Sequence, residues 1–161
     1  MDIAELVSLI AATLTTGLMA GLFFAFDVAV MPALKRSPDP VFIAVMQRIN
    51  VVIVNGLFLL GFLGAPVCTG LALALHIASG GGAATAPLTG ALVAYLLALG
   101  VTGGVNIPLN NALDRAGPVE RLTDPAAVRR GFEARWVPAN RWRTLLCTLA
   151  LGCLAWALVQ R

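Results

Sequence analysis

The sequence predicts an all-α fold, an integral membrane four-helix bundle, on three observations. Apolar residues make up 59% of the 161 residues and charged residues only 12%, about half the charge of an ordinary soluble domain. The mean hydropathy is +0.88. Four stretches reach the roughly 20 mainly apolar residues that a membrane-spanning helix needs. Between Arg48 and Asp114 there is no Asp, Glu, Lys or Arg at all. The length suits a single domain covering 1–161.

The first span is expected over 3–31. No Lys or Arg precedes Lys35, so the basic start of a cleavable signal is missing and this helix is expected to stay in the chain. Thr13, Gly17, Gly21, Ala25 and Ala29 put a small residue at every fourth position, a stripe suited to close helix packing in lipid. Pro32 should end the helix. Ser37-Pro38-Asp39-Pro40 reads as a turn. The apolar stretch 42–76 is too long for one span. It divides into an interfacial start over 41–50 and a membrane part over 50–76. Ser79, the glycines at 80–82 and Pro87 mark a short turn, and the third span follows over 86–108. Residues 115–135 form the one long polar connection. Within it Thr123-Asp124-Pro125 has the composition of a helix start, with a capping side chain and a proline in the first turn. A short amphipathic helix over about 125–135 is expected there, its Arg129, Arg130 and Arg135 either touching lipid head groups or forming a solvated face. The fourth span covers 142–159, with Trp142 and Trp156 near opposite ends as an aromatic belt would have them. His76, near the far end of the second span, has no visible partner and suits an interfacial depth.

The basic residues orient the chain. Of its 11 Lys and Arg residues, all but Arg161 fall in or beside the connections between spans one and two and between spans three and four. The positive-inside rule assigns that side to the cytoplasm, with both termini outside an inner or plasma membrane. The net charge of +3 reflects this bias, and no nucleic-acid partner is implied. Membrane lipid is the expected surrounding, and a homo-oligomer is compatible with the chain. The 3 cysteines, Cys68, Cys147 and Cys153, all lie in apolar helices without CxxC spacing and read as small buried apolar residues.

Polar residues are expensive inside a membrane helix and tend to face the bundle interior. Here they gather at one depth. Asp27 precedes the cytoplasmic end of span one. Gln47, Asn50 and Asn55 lie at the start of span two. Asn106, Asn110 and Asn111 close span three, and Trp136, Asn140, Arg141 and Arg143 open span four. Thr102, Asn106, Asn110 and Asp114 recur every fourth residue and share a helix face. Trp136, Asn140, Arg143 and Cys147 share another. Pro108 should kink or end its helix, freeing the carbonyl of Gly104 for a donor such as an Asn amide. The cluster has two readings. In one, the asparagines cap helices and bond across the bundle. In the other, they line a pocket for a ligand. Asp27 is either an ion-pair partner of Arg141 or Arg143, or a carboxylate available as a general base. The sequence contains no HExxH, no phosphate-binding loop, no dinucleotide fingerprint and no GxSxG. With 1 histidine a haem or diiron site is hard to assemble, and no cofactor or metal ligands are expected.

The stretches GLMAGLFFAFDVAVMPAL (17–34), MQRIN (46–50), VTGGVNIPLNNALD (101–114) and WVPANRWRT (136–144) resemble, in the same order, the signature blocks of the DUF1772, or anthrone oxygenase-like, membrane proteins. The resemblance implies a four-helix membrane protein and, by analogy with fungal members, oxidation of anthrones to anthraquinones by O2 without an evident metal or flavin. On that basis the substrate is a small lipophilic aromatic ketone or phenol. Asn106, Asn110, Asn140 and Arg143 are candidate donors to an enolate oxygen, Asp27 the candidate base, and Trp136 a stacking platform, with Gln47 and Asn50 as further substrate contacts. Two other functions compete. A membrane accessory or scaffold protein would use the polar cluster only for structure. A small transporter with Asp27 as its proton site is disfavoured by the nearly apolar outer half. The orientation is testable directly: a reporter active only outside the cytoplasm should be active when fused after Arg161 and silent when inserted near Glu120.

Overall fold

A computed structural model describes residues 3–160. Five helices carry the fold, and four of them are long and apolar enough to cross a membrane: α1 (Ile3–Lys35), α3 (Gly56–Ala78), α4 (Thr85–Arg115) and α5 (Pro125–Val159). Helix α2 (Asp39–Ile53) joins α1 to α3 along the basic end. The spanning helices alternate in direction. Helix α1 packs against α3 and α5, and α4 against α5 and α3, so the four close a ring. The protein is an all-α membrane bundle.

Two packed layers divide the bundle along its axis. The outer one is built mainly from alanines, including Ala12, Ala65, Ala72, Ala91, Ala98 and Ala150, with Leu9, Leu88 and Leu154 filling between them. Small side chains let helix backbones approach closely, which is the main source of packing where lipid is as apolar as the core. The inner layer, at the basic end, holds fewer but larger side chains, several of them aromatic: Phe42, Ile43, Met46, Leu109, Leu113, Phe132 and Trp136. The α3–α4 turn passes through Gly80, Gly81 and Gly82, all at positive φ, a conformation that a Cβ would strain.

Neither proline ends its helix. Helix α1 runs past Pro32 and α4 past Pro108, and in each the turn just ahead of the proline is widened. The Met31 amide bonds to the carbonyl of Phe26, and the Ile107 amide to that of Thr102, five residues back instead of four. A wide turn shifts the carbonyls that a proline ring would strike and absorbs its missing donor. No side-chain amide is drawn to Gly104 among the described hydrogen bonds. Instead the wide turns redirect Asp27 and Asn106, the residues they contain.

Other expectations change too. The small-residue stripe of α1 is not the packed face. Thr13, Gly17 and Gly21 border an open groove beside Leu151, while Leu9, Ala12, Thr16, Ala20 and Phe23 are buried. The second membrane helix starts at Gly56 rather than 50, because the Asn55 carbonyl oxygen caps it, accepting from the Phe58 amide at 3.0 Å. The separate helix expected over 125–135 is the first part of α5, which continues unbroken to Val159. Asp124 is its cap, accepting from the Ala127 amide at 2.9 Å. His76 has a partner after all: its Nδ1 pairs with the buried Glu5 side chain at 2.9 Å. Cys147 is buried as expected, while Cys68 and Cys153 are half-buried.

Arg129 is turned inward, not to lipid or solvent. Its guanidinium donates to the carbonyls of Leu34, Lys35 and Ser37, and to the carboxylates of Asp39 and Glu133. It also lies over the Phe42 ring at 4.5 Å. One side chain of α5 thereby closes the C-terminus of α1 and the start of α2. Arg129→Ala should cost about 3 kcal/mol, because it leaves one buried and four part-buried acceptors without their donor. Thermal unfolding in detergent would show this as a clearly lowered midpoint.

Candidate functional site

The inner layer is not completely filled. A cavity of about 320 Å³ lies between α2, α3, α4 and α5, with Leu22, Phe23 and Phe26 of α1 at its side. This size is at the small end of ligand pockets. Its walls are mostly apolar and aromatic: Phe23, Phe26, Phe58, Phe62 and Trp136 all line it. The polar lining comes from a few residues. Thr102, Asn106, Asn110 and Asp114 present the α4 face read from their spacing, joined by Asn50, Asn111 and Arg143.

Most of these polar groups are already engaged. Trp136 donates its indole N–H to the Asn110 carbonyl oxygen at 2.9 Å. Its ring stacks on Phe132 with centroids 5.9 Å apart and meets Phe26 at 5.7 Å. Asn50 donates to the backbone of Asn110 and to the Asp114 carboxylate, at 3.4 and 3.2 Å. Thr102 bonds back to Ala98 within its own helix. Arg143 donates from Nη2 to the Asn140 carbonyl oxygen at 2.6 Å. Its guanidinium lies over the Phe23 and Trp136 rings, at 4.3 and 5.2 Å.

Asn106 differs from the rest. Only 1% of its surface is exposed, and neither its amide nitrogen nor its carbonyl oxygen has a partner; the Nε–H of Arg143 is also buried and unpaired. An unpaired polar group in such surroundings costs about 1–3 kcal/mol. Both residues belong to the cavity's lining, so the unpaired amide and the cationic N–H lie beside its wall.

The other expected site residues take different positions. Gln47 does not line the cavity; it donates to the carbonyls of Leu113 and Gly117, closing the end of α4. Asp27 does not line it either. Its carboxylate accepts from Asn140 at 2.6 Å and from Thr144 at 2.5 Å, and it forms no ion pair with Arg141 or Arg143. Asp27 instead borders a separate open groove between α1 and α5, with Lys35, Glu133 and Arg141. Asn140 is fully buried and links Asp27 to Arg143. Thr144, one turn beyond Asn140 on the same face, escaped the sequence reading because a lone threonine in an apolar helix usually bonds only to its own backbone. Asp114 was visible in the α4 stripe and is the carboxylate that lines the cavity.

Bundle, aromatic pocket and polar α4 face together define a small membrane protein with an aromatic-walled cavity at one end. The family is also shown by comparison: the profile of the anthrone oxygenase family matches residues 55–153, and the chain belongs to that family, also known as DUF1772. No curated protein and no solved structure matches it.

Asn106→Leu tests the cost of the unpaired buried amide. Replacing two unpaired buried atoms by apolar ones of similar volume should stabilise the ligand-free protein by about 1–3 kcal/mol. The thermal midpoint in detergent should rise, whereas a purely structural asparagine would make it fall.

Proposed function

We propose that this protein is a cofactor-independent oxygenase of a lipophilic aromatic ketone or phenol of the anthrone class, acting within the membrane. The observation that carries the reading is the unpaired Asn106 amide in a cavity walled by aromatic rings. An amide that both donates and accepts suits a ligand with a carbonyl oxygen beside a hydroxyl. The flat walls suit fused rings, and the family assignment supports O2 as the co-substrate.

The chemistry needs little from the protein. An anthrone has a CH2 group opposite its ring carbonyl. Removing one of its protons leaves an enolate whose negative charge rests on that oxygen. Asn106 and the Arg143 Nε–H are the donors for it, and such donors are worth most in a dry site. The enolate passes one electron to O2, and recombination of the two radicals forms a carbon–oxygen bond and, after protonation, a hydroperoxide. Loss of the remaining C–H proton with cleavage of the O–O bond gives the second carbonyl and releases water. One O2 is consumed per product, one of its atoms entering the quinone and the other leaving as water, so no outside reductant is required. Asp114, the carboxylate lining the cavity, is the proton acceptor in this reading, and Trp136 is the ring platform, its tilt fixed through Asn110. The expected orientation, with this end of the bundle at the cytoplasmic face, accompanies the proposal.

The competing readings fit less well. A scaffold would have its asparagines satisfy one another and leave no cavity, and Asn106 departs from that. A proton path through the outer half would have to cross the alanine layer.

Oxygen uptake by the purified protein with a panel of anthrones, measured against autoxidation, should exceed background with one O2 consumed per quinone formed. Asn106→Ala and Trp136→Ala should each lower kcat by about 100-fold, and Asp114→Asn by a similar factor, all with the fold retained. A wild-type rate at background for every anthrone would reject the substrate class.

A further inference from the structure

The cavity's cation is held by a chain of hydrogen bonds that begins outside the cavity. Asn140 sits at its centre. Both amide hydrogens are committed, one to the Phe23 carbonyl at 2.9 Å and one to Asp27 Oδ1 at 2.6 Å. The Asn140 carbonyl oxygen must therefore face the other way, where Arg143 Nη2 reaches it at 2.6 Å. Turning the amide over would set its NH2 against the guanidinium, donor against donor. A carboxylate only accepts, so Asp27 enforces one orientation. Its second oxygen accepts from Thr144 at 2.5 Å, which ties it to the helix that carries Asn140 and Arg143.

The geometry points to Asp27 and Thr144 as positioning residues: through Asn140 they fix the guanidinium of Arg143 between the Phe23 and Trp136 rings, with its Nε–H free for a ligand oxygen that gains negative charge. Asn140 has a second effect. Placed between Asp27 and Arg143, it keeps the two from forming a direct ion pair that would occupy the guanidinium. The cation thus keeps a donor available, with no carboxylate in direct contact with it. This use of Arg143 rests on the proposed oxygenase reading, while its fixed orientation does not.

A general base and a positioning carboxylate respond differently to substitution. Asp27→Asn removes the base but can keep the chain intact. The new amide oxygen accepts from Asn140, and the new NH2 donates to Thr144. The Thr144 hydroxyl then turns to the Asn140 backbone carbonyl, which it already approaches at 3.2 Å. Asp27→Leu keeps the volume but removes both acceptors. Thr144→Val removes only the outer link and serves where Asp27→Leu fails to fold.

Two readouts separate the possibilities. The Nε–H resonance of Arg143, assigned by its loss in Arg143→Lys, reports the guanidinium directly by nitrogen-15 NMR of detergent-solubilised protein without any ligand. Anthrone-dependent oxygen uptake reports function. Wild type and Asp27→Asn should share one sharp, slowly exchanging resonance and similar kcat. In Asp27→Leu the resonance should shift and broaden, with kcat about 100-fold lower, the scale expected for a misplaced group, and KM moved much less. Thr144→Val should shift it in the same direction by less. An unchanged resonance in both Asp27→Leu and Thr144→Val would overturn the proposal. So would an Asp27→Asn protein that keeps the resonance but loses kcat, since that is the behaviour of a base. The expected resonances with no oxidation of any anthrone, even by wild type, would leave the positioning role standing and remove the oxygenase reading.

Discussion

A polar group at membrane depth must find its partner inside the protein, because lipid offers none. Most of this structure follows from that constraint. The two prolines in α1 and α4 would each leave a backbone gap, and the wide turns ahead of them close it. The carbonyls at the end of α1 would be bare, and Arg129 caps them from α5. Asp27 would be a lone carboxylate, and two side chains of α5 bond to it. Glu5 and His76 settle the same account at the opposite end of the bundle. Among the described residues a few buried side-chain atoms stay unpaired: the Thr16 hydroxyl and His76 Nε2 lie away from the cavity, while Asn106 and the Arg143 Nε–H belong to residues that line it.

The wide turns join fold to site. In a regular helix residues four apart drift by about 40° a step. One extra residue in a turn offsets part of that drift, so the α4 stripe stays on one face across its wide turn while the register of α1 changes after Phe26. Phe23 and Phe26 can then wall the cavity while Asp27 reaches Asn140 from outside. In α4 the wide turn ends at Asn106, directly where the unpaired amide is found. Wide turns are uncommon and concentrate at functional positions, and here both lie at the depth of the pocket.

The spans, their number and the clustering of polar residues at one end were legible in the sequence, because apolar run length and four-residue spacing are local properties. The α4 face of Thr102, Asn106, Asn110 and Asp114 survived intact despite Pro108. Partner choice was not legible. Gln47 and Asn50 have similar chemistry and lie three residues apart, yet one closes a helix end and the other lines the pocket. Asp27 and Arg143 are of opposite charge at similar depth, and an ion pair was the natural guess. The Asn140 side chain between them is a matter of tertiary geometry. Arg129 resembled its neighbours Arg130 and Arg135, and only the meeting of α1, α2 and α5 sets it apart. The small-residue stripe of α1 failed for a related reason. Small residues permit close approach but do not decide which face is approached.

The interruption between α2 and α3 has a consequence for how the pocket is supplied. Helix pairing stops at Ile53 and resumes at Gly56, and the exposed side chains of Val54, Leu59 and Ile107 form part of the cavity's rim. The rim on this side is therefore apolar and exposed, which suits an opening toward lipid. For a compound dissolved in the bilayer, the quantity that governs occupancy is its mole fraction among the lipids rather than its concentration in the surrounding buffer. Acyl chains are then its competitors, always present and in great excess. A pocket placed this way favours ligands that are flat and rigid over ones that are merely oily, since a stiff ring system loses little conformational freedom on entry and a flexible chain loses a great deal.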